Sequence, residues 1–600
     1  MMITSQHSFC LIPFAVVGIC LLLDPVRVGA KPHDDNAPEV LNPFGARDSN
    51  TTSPARWSRI LKGHTGVAAM QITVVSDKSM FCVCEQVEHN PLRINGHRAW
   101  AALYNFETDA VTPLDLKSNS FCAGGSFLGN GTLINFGGNP VGQDRLQTGN
   151  FGPTNGLQSI RFYTPCDDGK CTIDEYDSIK LASARWYATA ARLPDGTIMI
   201  VGGSKTATFR NSAKISNPTI EYFPPRQLPF ATNSGKTQIS SPFLERTLIA
   251  NLFPIVITLP KPGLVFLAAN RDAIIYNYTS NHEFRLPRIP NGVRVTYPMT
   301  GGGILLPLSH QNKYKPEVLI CGGSDLDDTL ATNLIKVSDP ATTQCIRMVL
   351  TKLGIKKGWK VEHMPEGRIM PDMITMPDGK VLIVNGAKTG VGGFGSLQNM
   401  TGNSHADNPS FTPVLYHPDA PLGQRFSTKG LPTTNIARLY HSVATLTPSG
   451  LVMLAGSNPN PDFTTKNYRT EYRIEWLSPP YIKNPNRPKI LTLPKIANHR
   501  EKITVKLDDM DLKIAEQHNE AVLLDFGFVT HSTHMNSRLV KLRTKFDSNT
   551  NKLHVVMPPS PEIYPPGYGW LFILVNGIPS PGKRIMVGSG KLHSNLEQTG

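Results

Sequence analysis

The sequence predicts an all-β protein in which a seven-bladed propeller is followed by a small β-sandwich domain. Three observations lead to this prediction. An apolar segment flanked by small residues recurs seven times, and the sequence changes to short alternating apolar runs after Trp476. Glycine and proline, which favour turns between short strands, account for 50 and 49 of the 600 residues. The content of 40% apolar and 18% charged residues also excludes a disordered chain and a coiled coil.

The N-terminal end predicts a secreted protein. Residues 14–23 form an apolar run, and the small residues Val, Gly and Ala follow at positions 28–30. This is the pattern of a secretory signal peptide over residues 1–30, although a buried strand would also give the apolar run. We expect residues 31–60 to form an arm without periodic structure. No later segment has the ~20 consecutive apolar residues that a membrane span needs.

The recurring segment reads as a turn, four or five apolar residues and then a small pair, as in GTLINFGG at residues 131–138. Alignment on the first small residue, or its equivalent, gives seven anchors, at positions 85, 137, 202, 269, 322, 385 and 456. This period and motif are typical of a kelch-type β-propeller with one four-stranded blade per copy, and an array of β-sandwiches is the alternative. We expect strands from both ends of the repeat region to share one blade and close the ring.

The predicted propeller spans residues 61–477, and a proline-rich junction follows it. Beyond the junction, short apolar or alternating runs occur at residues 502–507, 521–524, 553–557 and 569–575. Such runs predict a small immunoglobulin-like β-sandwich over residues 478–600.

The formal net charge is +14, from 60 Lys and Arg against 46 Asp and Glu. The basic residues are scattered, without the clusters that bind nucleic acid, so we expect no nucleic-acid partner. A monomer with a basic surface, attracted to acidic wall polymers, is the simpler interpretation. Glycosylation motifs occur in four places, at Asn50, Asn130, Asn277 and Asn399.

Seven of the nine cysteines remain after removal of the predicted signal peptide, which leaves an odd number. Cys166 and Cys171 would close a short loop, and Cys321 and Cys345 are a plausible second pair. Cys82 and Cys84 lie two apart on one predicted strand and should not easily pair with each other. An odd cysteine in a secreted protein needs an unusual partner, and Cys122 is the candidate.

The repeat register brings chemically unusual residues to one place. Fifteen residues before the anchor, at the start of the innermost strand, three copies carry Cys122, Tyr187 and His441, the last preceded by Tyr440. Equivalent positions on different blades surround one axis, so these side chains predict a metal site. The other four copies carry aliphatic or imino residues there, namely Met70, Pro254, Pro307 and Met370. Each residue alone would be unremarkable as a buried side chain.

A histidine cluster lies between two predicted strands of the C-terminal domain. It contains His531 and His534 within the segment THSTHMNSR at residues 530–538. A loop at this point would reach the mouth of the propeller, and a plain polar turn is the alternative.

Four segments resemble the signatures of the copper radical oxidases, which include glyoxal oxidase and galactose oxidase. They are FCAGG at 121–125, RWYATA at 185–190, RLYHS at 438–442 and THS at 530–532. The resemblance runs from about residue 60 to the C-terminus. The RLYHS form and the short cysteine loop at 166–171 are more similar to glyoxal oxidase. In galactose oxidase a tryptophan covers the cross-linked tyrosine, whereas Lys205 stands at that place here, so the cover over Tyr187 must differ.

The resemblance implies a role for each of five residues. Cys122 would be joined through sulfur to the ring of Tyr187, giving a thioether radical cofactor. Tyr187, His441 and His531 would bind Cu(II) equatorially and Tyr440 axially. Imidazole and phenolate ligands suit a tetragonal Cu(II) site with one open position.

The implied activity is the extracellular oxidation of small aldehydes such as glyoxal or methylglyoxal to carboxylic acids. O₂ would be reduced to H₂O₂, and extracellular peroxidases would use the peroxide or activate the enzyme. A primary-alcohol or galactose-type oxidase is the alternative within the enzyme class. A non-catalytic secreted kelch protein that binds polysaccharide or protein is the alternative outside it.

Overall fold

The structure is a computed structural model that describes residues 56–83, 89–140, 155–166, 171–225, 238–395, 397–508, 518–547, 549–550 and 552–591. The predicted signal peptide, the motif at Asn50 and Cys84 lie outside these ranges. Within them, no helix has the length and apolar character required to cross a membrane.

Strands make up nearly all of the regular structure. Those of the first part are β1 Ser58–His64, β2 Gln71–Val74, β3 Ser79–Val83, β4 Arg93–Ile94, β5 His97–Arg98, β6 Ala101–Asn105, β7 Val111–Leu114, β8 Gly124–Phe127, β9 Leu133–Phe136, β10 Ser159–Tyr163, β11 Ile173–Lys180, β12 Thr189–Arg192, β13 Ile198–Val201, β14 Thr219–Phe223 and β15 Ile239–Ser240. Helix α1, Pro242–Arg246, follows, and helix α2, Lys352–Lys357, lies further along the chain. The strands up to residue 478 are β16 Ile255–Thr258, β17 Leu264–Ala269, β18 Asp272–Asn277, β19 His282–Arg285, β20 Gly301–Leu305, β21 Leu308–Ser309, β22 Glu317–Gly322, β23 Gln344–Val349, β24 Lys360–His363, β25 Asp372–Thr375, β26 Val381–Val384, β27 Ala387–Phe394, β28 Ser404–Pro409, β29 Val414–Tyr416, β30 Phe426–Ser427, β31 Ser442–Leu446, β32 Val452–Gly456 and β33 Arg473–Ser478.

The C-terminal part is also built from strands. They are β34 Ile490–Thr492, β35 Ile496–Ala497, β36 Lys502–Leu507, β37 Asn519–Asp525, β38 Phe528–Thr530, β39 Thr533–Met535, β40 Arg538–Asp547, β41 Lys552–Val556, β42 Gly567–Val575, β43 Ile578–Pro579 and β44 Lys583–Val587. Strand β40 pairs with β37 through its first half and with β41 through its second half. A strand that changes partners in this way forms the corner between two packed sheets. The apolar faces of β36, β37, β41 and β42 contribute to one buried cluster.

The strands of the repeat region form four-stranded antiparallel arrays. Five arrays are separate sheets among the described residues, with the orders β8–β9–β10–β11, β12–β13–β14–β15, β16–β17–β18–β19, β25–β26–β29–β30 and β31–β32–β33–β1. The sets β2–β3–β6–β7 and β20–β22–β23–β24 are the two arms of a ten-stranded sheet, joined through β38 and β39. The fold is therefore all-β and propeller-like. The predicted count of seven blades requires both arms to be counted as blades, and it stays a prediction.

Each copy of the repeat forms the second strand of one array. These strands are β3, β9, β13, β17, β22, β26 and β32. Their residues are buried in nearly every case because each is paired on both edges and covered by neighbouring arrays. The continuous apolar runs of the repeat follow from this burial on both faces.

The expectation that strands from both ends of the repeat region share one array is confirmed. Strand β1 pairs antiparallel with β33, from Ser58 opposite Ser478 to His64 opposite Arg473. Arg59 of β1 donates to the buried carboxylate of Glu475 in β33 at 2.7 Å. Because β1 begins at Ser58, the last residues of the predicted arm already belong to this strand. The division between propeller and sandwich at 477/478 stays a prediction.

The hairpin of β38 and β39 projects from the C-terminal part into the centre of the arrays. Strand β38 pairs antiparallel with β2, and β39 forms one parallel bridge with β20. The hairpin also contacts the first strands of the other arrays, β8, β12, β16, β25 and β31. Hence one hairpin fills the space that the first strands enclose.

Both predicted disulfides are confirmed. Cys166 is bonded to Cys171, with their Cα atoms 5.6 Å apart, and Cys321 is bonded to Cys345, with their Cα atoms 4.1 Å apart. Cys82 and Cys122 are buried and take no part in a disulfide.

Candidate metal centre

The predicted site residues occupy the points where the chain turns into an innermost strand. Cys122 and Tyr187 each lie two residues before their strands, β8 and β12, and His441 lies directly before β31. All three have positive φ, at 59°, 64° and 66°. A left-handed backbone is uncommon for residues other than glycine and is concentrated at functional sites. This turn directs the three side chains toward the axis instead of into the sheet.

Three of the register positions predicted from the sequence are wrong. The strand pairing places Ala69, Phe253 and Thr300, not Met70, Pro254 and Pro307, at the positions equivalent to Tyr187. In the first copy the hairpin has the same length as that of the Tyr187 array, so the anchor at 85 lies one residue too far along the chain. The hairpin that joins β16 to β17 is one residue longer than that of the Tyr187 array, and the one between β20 and β22 is seven longer, so a fixed offset from the anchor fails there.

Buried arginines support the turns that carry the tyrosines. Arg185, two residues before Tyr187, pairs with Glu221 and donates to the carbonyl of Gly202 at 2.7 Å. Arg438, two residues before Tyr440, donates to Glu475 at 2.8 Å and to the carbonyl of Gly456 at 2.8 Å. No role for these arginines was predicted from the sequence, although their matching positions in RWYATA and RLYHS were the available signal.

His531 stands at the tip of the β38–β39 hairpin. It and Ser532 form a two-residue turn with φ of 48° and 64°. Positive φ at both central residues characterises the type I′ turn, whose twist suits a tight hairpin. The hairpin therefore delivers the His531 ring to the residues before β8, β12 and β31.

The side chains meet at one point. The Tyr187 hydroxyl lies against the Tyr440 hydroxyl and 3.0 Å from Nε2 of His531. Cys122 Sγ lies 3.5 Å from the same His531 nitrogen. The ligand atoms of Cys122, His441 and His531 all lie within 4.8 Å of one another. The structure thus brings together all five residues that the sequence singled out.

Hydrogen bonds define which nitrogen of each histidine faces the centre. Nδ1 of His441 donates to the carbonyl of Asn458 at 2.9 Å. The Thr530 hydroxyl donates to the carbonyl of Met70, so it accepts a hydrogen bond from Nδ1 of His531 at 2.6 Å. Both Nε2 atoms therefore carry no proton and can act as acceptors or metal ligands. Nε2 of His441 is buried without a hydrogen-bond partner among the described residues. This pattern of bonds at the far nitrogen is the usual support for a metal-binding histidine.

His534 does not join this group. Its Nε2 donates to the buried carboxylate of Asp372 at 3.1 Å, on the other side of the hairpin. Asp372 also accepts from the side-chain amide of Asn385 at 2.8 Å. His534 therefore ties the hairpin to strand β25.

Burial governs the electrostatics of the centre. Cys122 and Tyr187 are fully buried, and Tyr440, His441 and His531 are at most 4% exposed. Desolvation lowers the pKa of His441 to about 3. It also holds the pKa of His531 well below its usual value, with a further contribution from His441. Both imidazoles are neutral at physiological pH, as metal binding requires.

An aromatic layer surrounds Tyr187. The Trp186 ring centroid lies 3.7 Å from that of Tyr187, and Phe253 and Tyr297 follow at 4.5 and 4.7 Å. Trp186, a residue inside the RWYATA motif, therefore packs on the Tyr187 ring in this protein. Its role was not predicted from the sequence. Lys205 is exposed. Because Trp186 is only 4% exposed, it covers Tyr187 without offering its own face to a substrate.

The outer edge of the site is formed by half-buried side chains. Phe394, at the end of β27, lies 6.2 Å from Tyr440 and 6.3 Å from His441, measured between ring centroids. Phe209 lies edge-on to His405 at 4.7 Å. Phe209 and Phe394 are partly exposed, whereas His405 is fully buried. Strand β27 and the segment between β13 and β14 thus border the approach to Tyr440.

We expect His405 to make the folded protein less stable in acid. Burial lowers its pKa to about 4, from 6.5 in the unfolded chain. Between pH 6.5 and 4 this histidine is protonated in the unfolded chain but stays neutral in the folded protein. The free energy of unfolding therefore falls as the pH drops from 6.5 to 4, and His405 does not affect it above pH 6.5. We expect His405→Gln to remove about 3 kcal/mol of this loss. Thermal unfolding of both proteins at pH 7 and pH 4.5 measures it, and an equal drop in both would contradict the assignment.

The donor set fits a copper ion. Two neutral imidazole nitrogens and two phenol oxygens converge in a buried space, and one nitrogen is orphaned without an ion. Nitrogen and oxygen donors of this kind suit Cu(II), whereas Mg²⁺ and Ca²⁺ prefer carboxylates and carbonyls. A thiol close to a tyrosine adds a group that can be oxidised.

Comparison with known proteins adds independent information. Residues 70–481 match the family model described as the glyoxal oxidase N-terminus, and residues 487–587 match that of the galactose oxidase-like early set domain.

The chain is 34% identical to a protein named aldehyde oxidase GLOX1 from Arabidopsis thaliana, over 82% of this chain and 75% of the relative. It is also 34% identical to aldehyde oxidase GLOX from Vitis pseudoreticulata, over 82% of this chain and 86% of the relative. A galactose oxidase from Gibberella zeae is 24% identical over 78% of this chain and 61% of that protein.

Among solved structures, a fungal alcohol oxidase of the AA5 family, in complex with copper, superposes with a TM-score of 0.64. The superposition covers 90% of this chain and 100% of that one, at 15% sequence identity. At this identity the likeness concerns the fold.

Proposed function

Since the chain belongs to the glyoxal oxidase family of copper radical oxidases, we propose that it oxidises small aldehydes to carboxylic acids outside the cell and reduces O₂ to H₂O₂. The convergence of Cys122, Tyr187, Tyr440, His441 and His531 carries this proposal. Aldehydes are favoured as substrates because the two relatives at 34% identity are named aldehyde oxidases.

Four residues would hold the metal, namely Tyr187, Tyr440, His441 and His531. The tautomers of both histidines support this assignment because they present Nε2 to the centre. When bound, copper accepts one of the two electrons of the reaction, and its positive charge favours ionised phenol oxygens.

Cys122 and Tyr187 would form the second electron acceptor as a thioether cofactor. Formation of the C–S bond removes one hydrogen from the thiol and one from the ring, and O₂ takes up both. The placement of Sγ and of the Tyr187 hydroxyl around the same His531 nitrogen supports this pairing. O₂ would also take the further electron that converts the cross-linked Tyr187 to its radical, and this radical would take a hydrogen atom from the substrate.

The residues would act on the hydrated aldehyde, a geminal diol. Burial raises the pKa of Tyr440 well above that of a free phenol, so its oxygen would keep its proton without a bound metal. Once ionised, this oxygen would accept the hydroxyl proton of the diol, and Tyr187 would take the C–H hydrogen. The substrate loses two electrons and two protons to become the acid, and O₂ gains both to become H₂O₂. The aromatic layer excludes water from the Tyr187 ring.

The proposal also includes the domain boundaries and the location of the protein. Residues 1–30 would be a secretory signal, residues 61–477 a seven-bladed propeller and residues 478–600 a β-sandwich. We propose that the mature protein is a glycosylated extracellular monomer whose peroxide serves peroxidases. N-terminal sequencing of protein recovered from the medium tests the cleavage after Ala30.

We expect glyoxal, methylglyoxal and glyoxylic acid to be oxidised faster than galactose or glycerol. Trp186 is too deeply buried to stack on a sugar, which removes roughly 1–3 kcal/mol of binding if aromatic stacking of bases is a guide. That loss corresponds to about 5- to 150-fold in kcat/KM. Peroxide release from copper-loaded enzyme, with peroxidase supplied, measures the order at equal substrate concentration.

Faster turnover of galactose or glycerol than of every aldehyde would instead favour the primary-alcohol oxidase. Absence of peroxide from all substrates, with copper bound, would favour a non-catalytic binding protein.

A further inference from the structure

A small cavity lies beside the root of the β38–β39 hairpin, away from the proposed copper ligands. Its volume is about 20 Å³, which admits one water-sized occupant. Strands β12, β16 and β20 border it on one side, and the chain from Thr533 to Arg538 borders it on the other. Much of the wall is apolar, formed by Ile255, Val256, Ile257, Ile304, Leu305 and Pro565.

The charged side chains in this wall do not balance. Arg192 and Arg538 are 3% and 5% exposed, and Asp525 is the acidic residue that lines the cavity with them. Arg192 pairs with Asp525. His534 also lines the cavity, but any positive charge on it is matched by Asp372. One positive charge is therefore left over in a buried, largely apolar place.

Arg538 is held by neutral acceptors. It donates to the carbonyls of Glu562 and Ile563 at 3.0 and 2.8 Å, and to that of Thr258. Burial lowers the pKa of Arg538 to about 10, so the guanidinium keeps its charge at neutral pH. Carbonyl oxygens satisfy its hydrogen bonds without neutralising that charge.

Arg192 has a donor to spare. Its Nη2 is used by Asp525, whereas its Nε is buried and has no hydrogen-bond partner among the described residues. Thr533 and Ser537 add hydroxyl groups to the same wall. An uncompensated buried charge is costly, and an anion with room beside it removes that cost.

We propose that this cavity binds a small inorganic anion, chloride, as the counter-ion of Arg192 and Arg538. A single-atom anion matches the volume, whereas sulfate or phosphate would not fit. The bound chloride would join β12 of the propeller to the segment that follows His531, and so hold the hairpin at its root. The proposal concerns residues outside the copper centre and stands independently of the oxidase activity.

Bromide replacement tests the site on the unaltered protein. Crystals of the full chain are transferred from chloride to bromide and measured at the bromine absorption edge. We expect an anomalous peak in the cavity, within hydrogen-bond distance of Arg192 Nε. Electron density in the cavity without an anomalous signal would mean that it holds water, and no density would mean that it holds no ordered occupant. Either result overturns the proposal.

Thermal unfolding gives a second measurement. The midpoint is followed against chloride concentration, with methanesulfonate keeping the ionic strength constant. We expect the unfolding midpoint of the wild type to rise with chloride concentration and then level off, and that of Arg192→Gln to stay constant. Arg347→Gln is the matched control, since Arg347 of β23 pairs with Glu317 of β22 and neither residue lines the cavity, and it should keep the chloride dependence. A wild-type midpoint that ignores chloride would also overturn the proposal, even if Arg192→Gln fails to fold.

Discussion

Cys122→Ala will bind copper and lose nearly all turnover. The thiol is not among the four proposed ligands, so the ion should remain, but the Tyr187 ring loses the sulfur that stabilises its radical. We expect kcat to fall by about 1,000-fold, equivalent to about 4 kcal/mol in the activation free energy. Metal analysis and peroxide release under saturating aldehyde measure the two properties separately.

The same experiment has a covalent readout. Wild-type protein treated with copper should yield one cross-linked peptide that contains Cys122 and Tyr187 and is lighter by two hydrogens than the separate pair. Cys82→Ala is the matched control, because Cys82 is equally buried on β3 and takes no part in a disulfide. It should keep both the cross-link and the activity. Recovery of both wild-type peptides uncoupled after copper treatment would refute the radical mechanism.

His531→Ala will lose copper, whereas His534→Gln will keep it. His531 presents a bare Nε2 at the centre, while Nε2 of His534 is committed to Asp372. We expect the copper dissociation constant to rise at least about 100-fold in the first variant and less than about tenfold in the second. Equilibrium dialysis measures the affinity, and Cu(II) EPR reports whether one nitrogen ligand has gone.

Glutamine is used at position 534 because its side-chain amide can still donate a hydrogen bond to Asp372. Alanine would leave the buried carboxylate of Asp372 without this donor and would destabilise the hairpin. If His534→Gln alone released copper, the assignment of the two histidines would have to be exchanged.

The site could be predicted from the sequence because its residues are chemically rare and lie at one register position. Cys122, Tyr187 and His441 each stand fifteen residues before an anchor because the hairpins that follow them have equal lengths. Phe253 and Thr300 were missed because their hairpins are longer. A change in turn length leaves the apolar pattern of the strands intact, so the repeat alone does not reveal it.

Other contacts depend on packing between distant segments. The neighbour of His534 is Asp372, which is 162 residues away in the chain and belongs to another array. Phe394 and Phe209 reach the outer edge of the site from segments whose sequences carry no repeat. The hairpin was expected at the mouth of the propeller, and its contact with every first strand became visible only in three dimensions.

The pairing of β1 with β33 has a consequence for the order of assembly during synthesis. Ser58 emerges from the ribosome more than 400 residues before its partner Ser478, so the outermost strand of that array must wait unpaired while the others form. Glu475 then joins Arg59 of β1 to Arg438, which supports the turn before Tyr440. His531 is made later still. The proposed copper ligands can therefore come together only after His531 has been made, which would keep the unfinished chain from binding copper at a partial site.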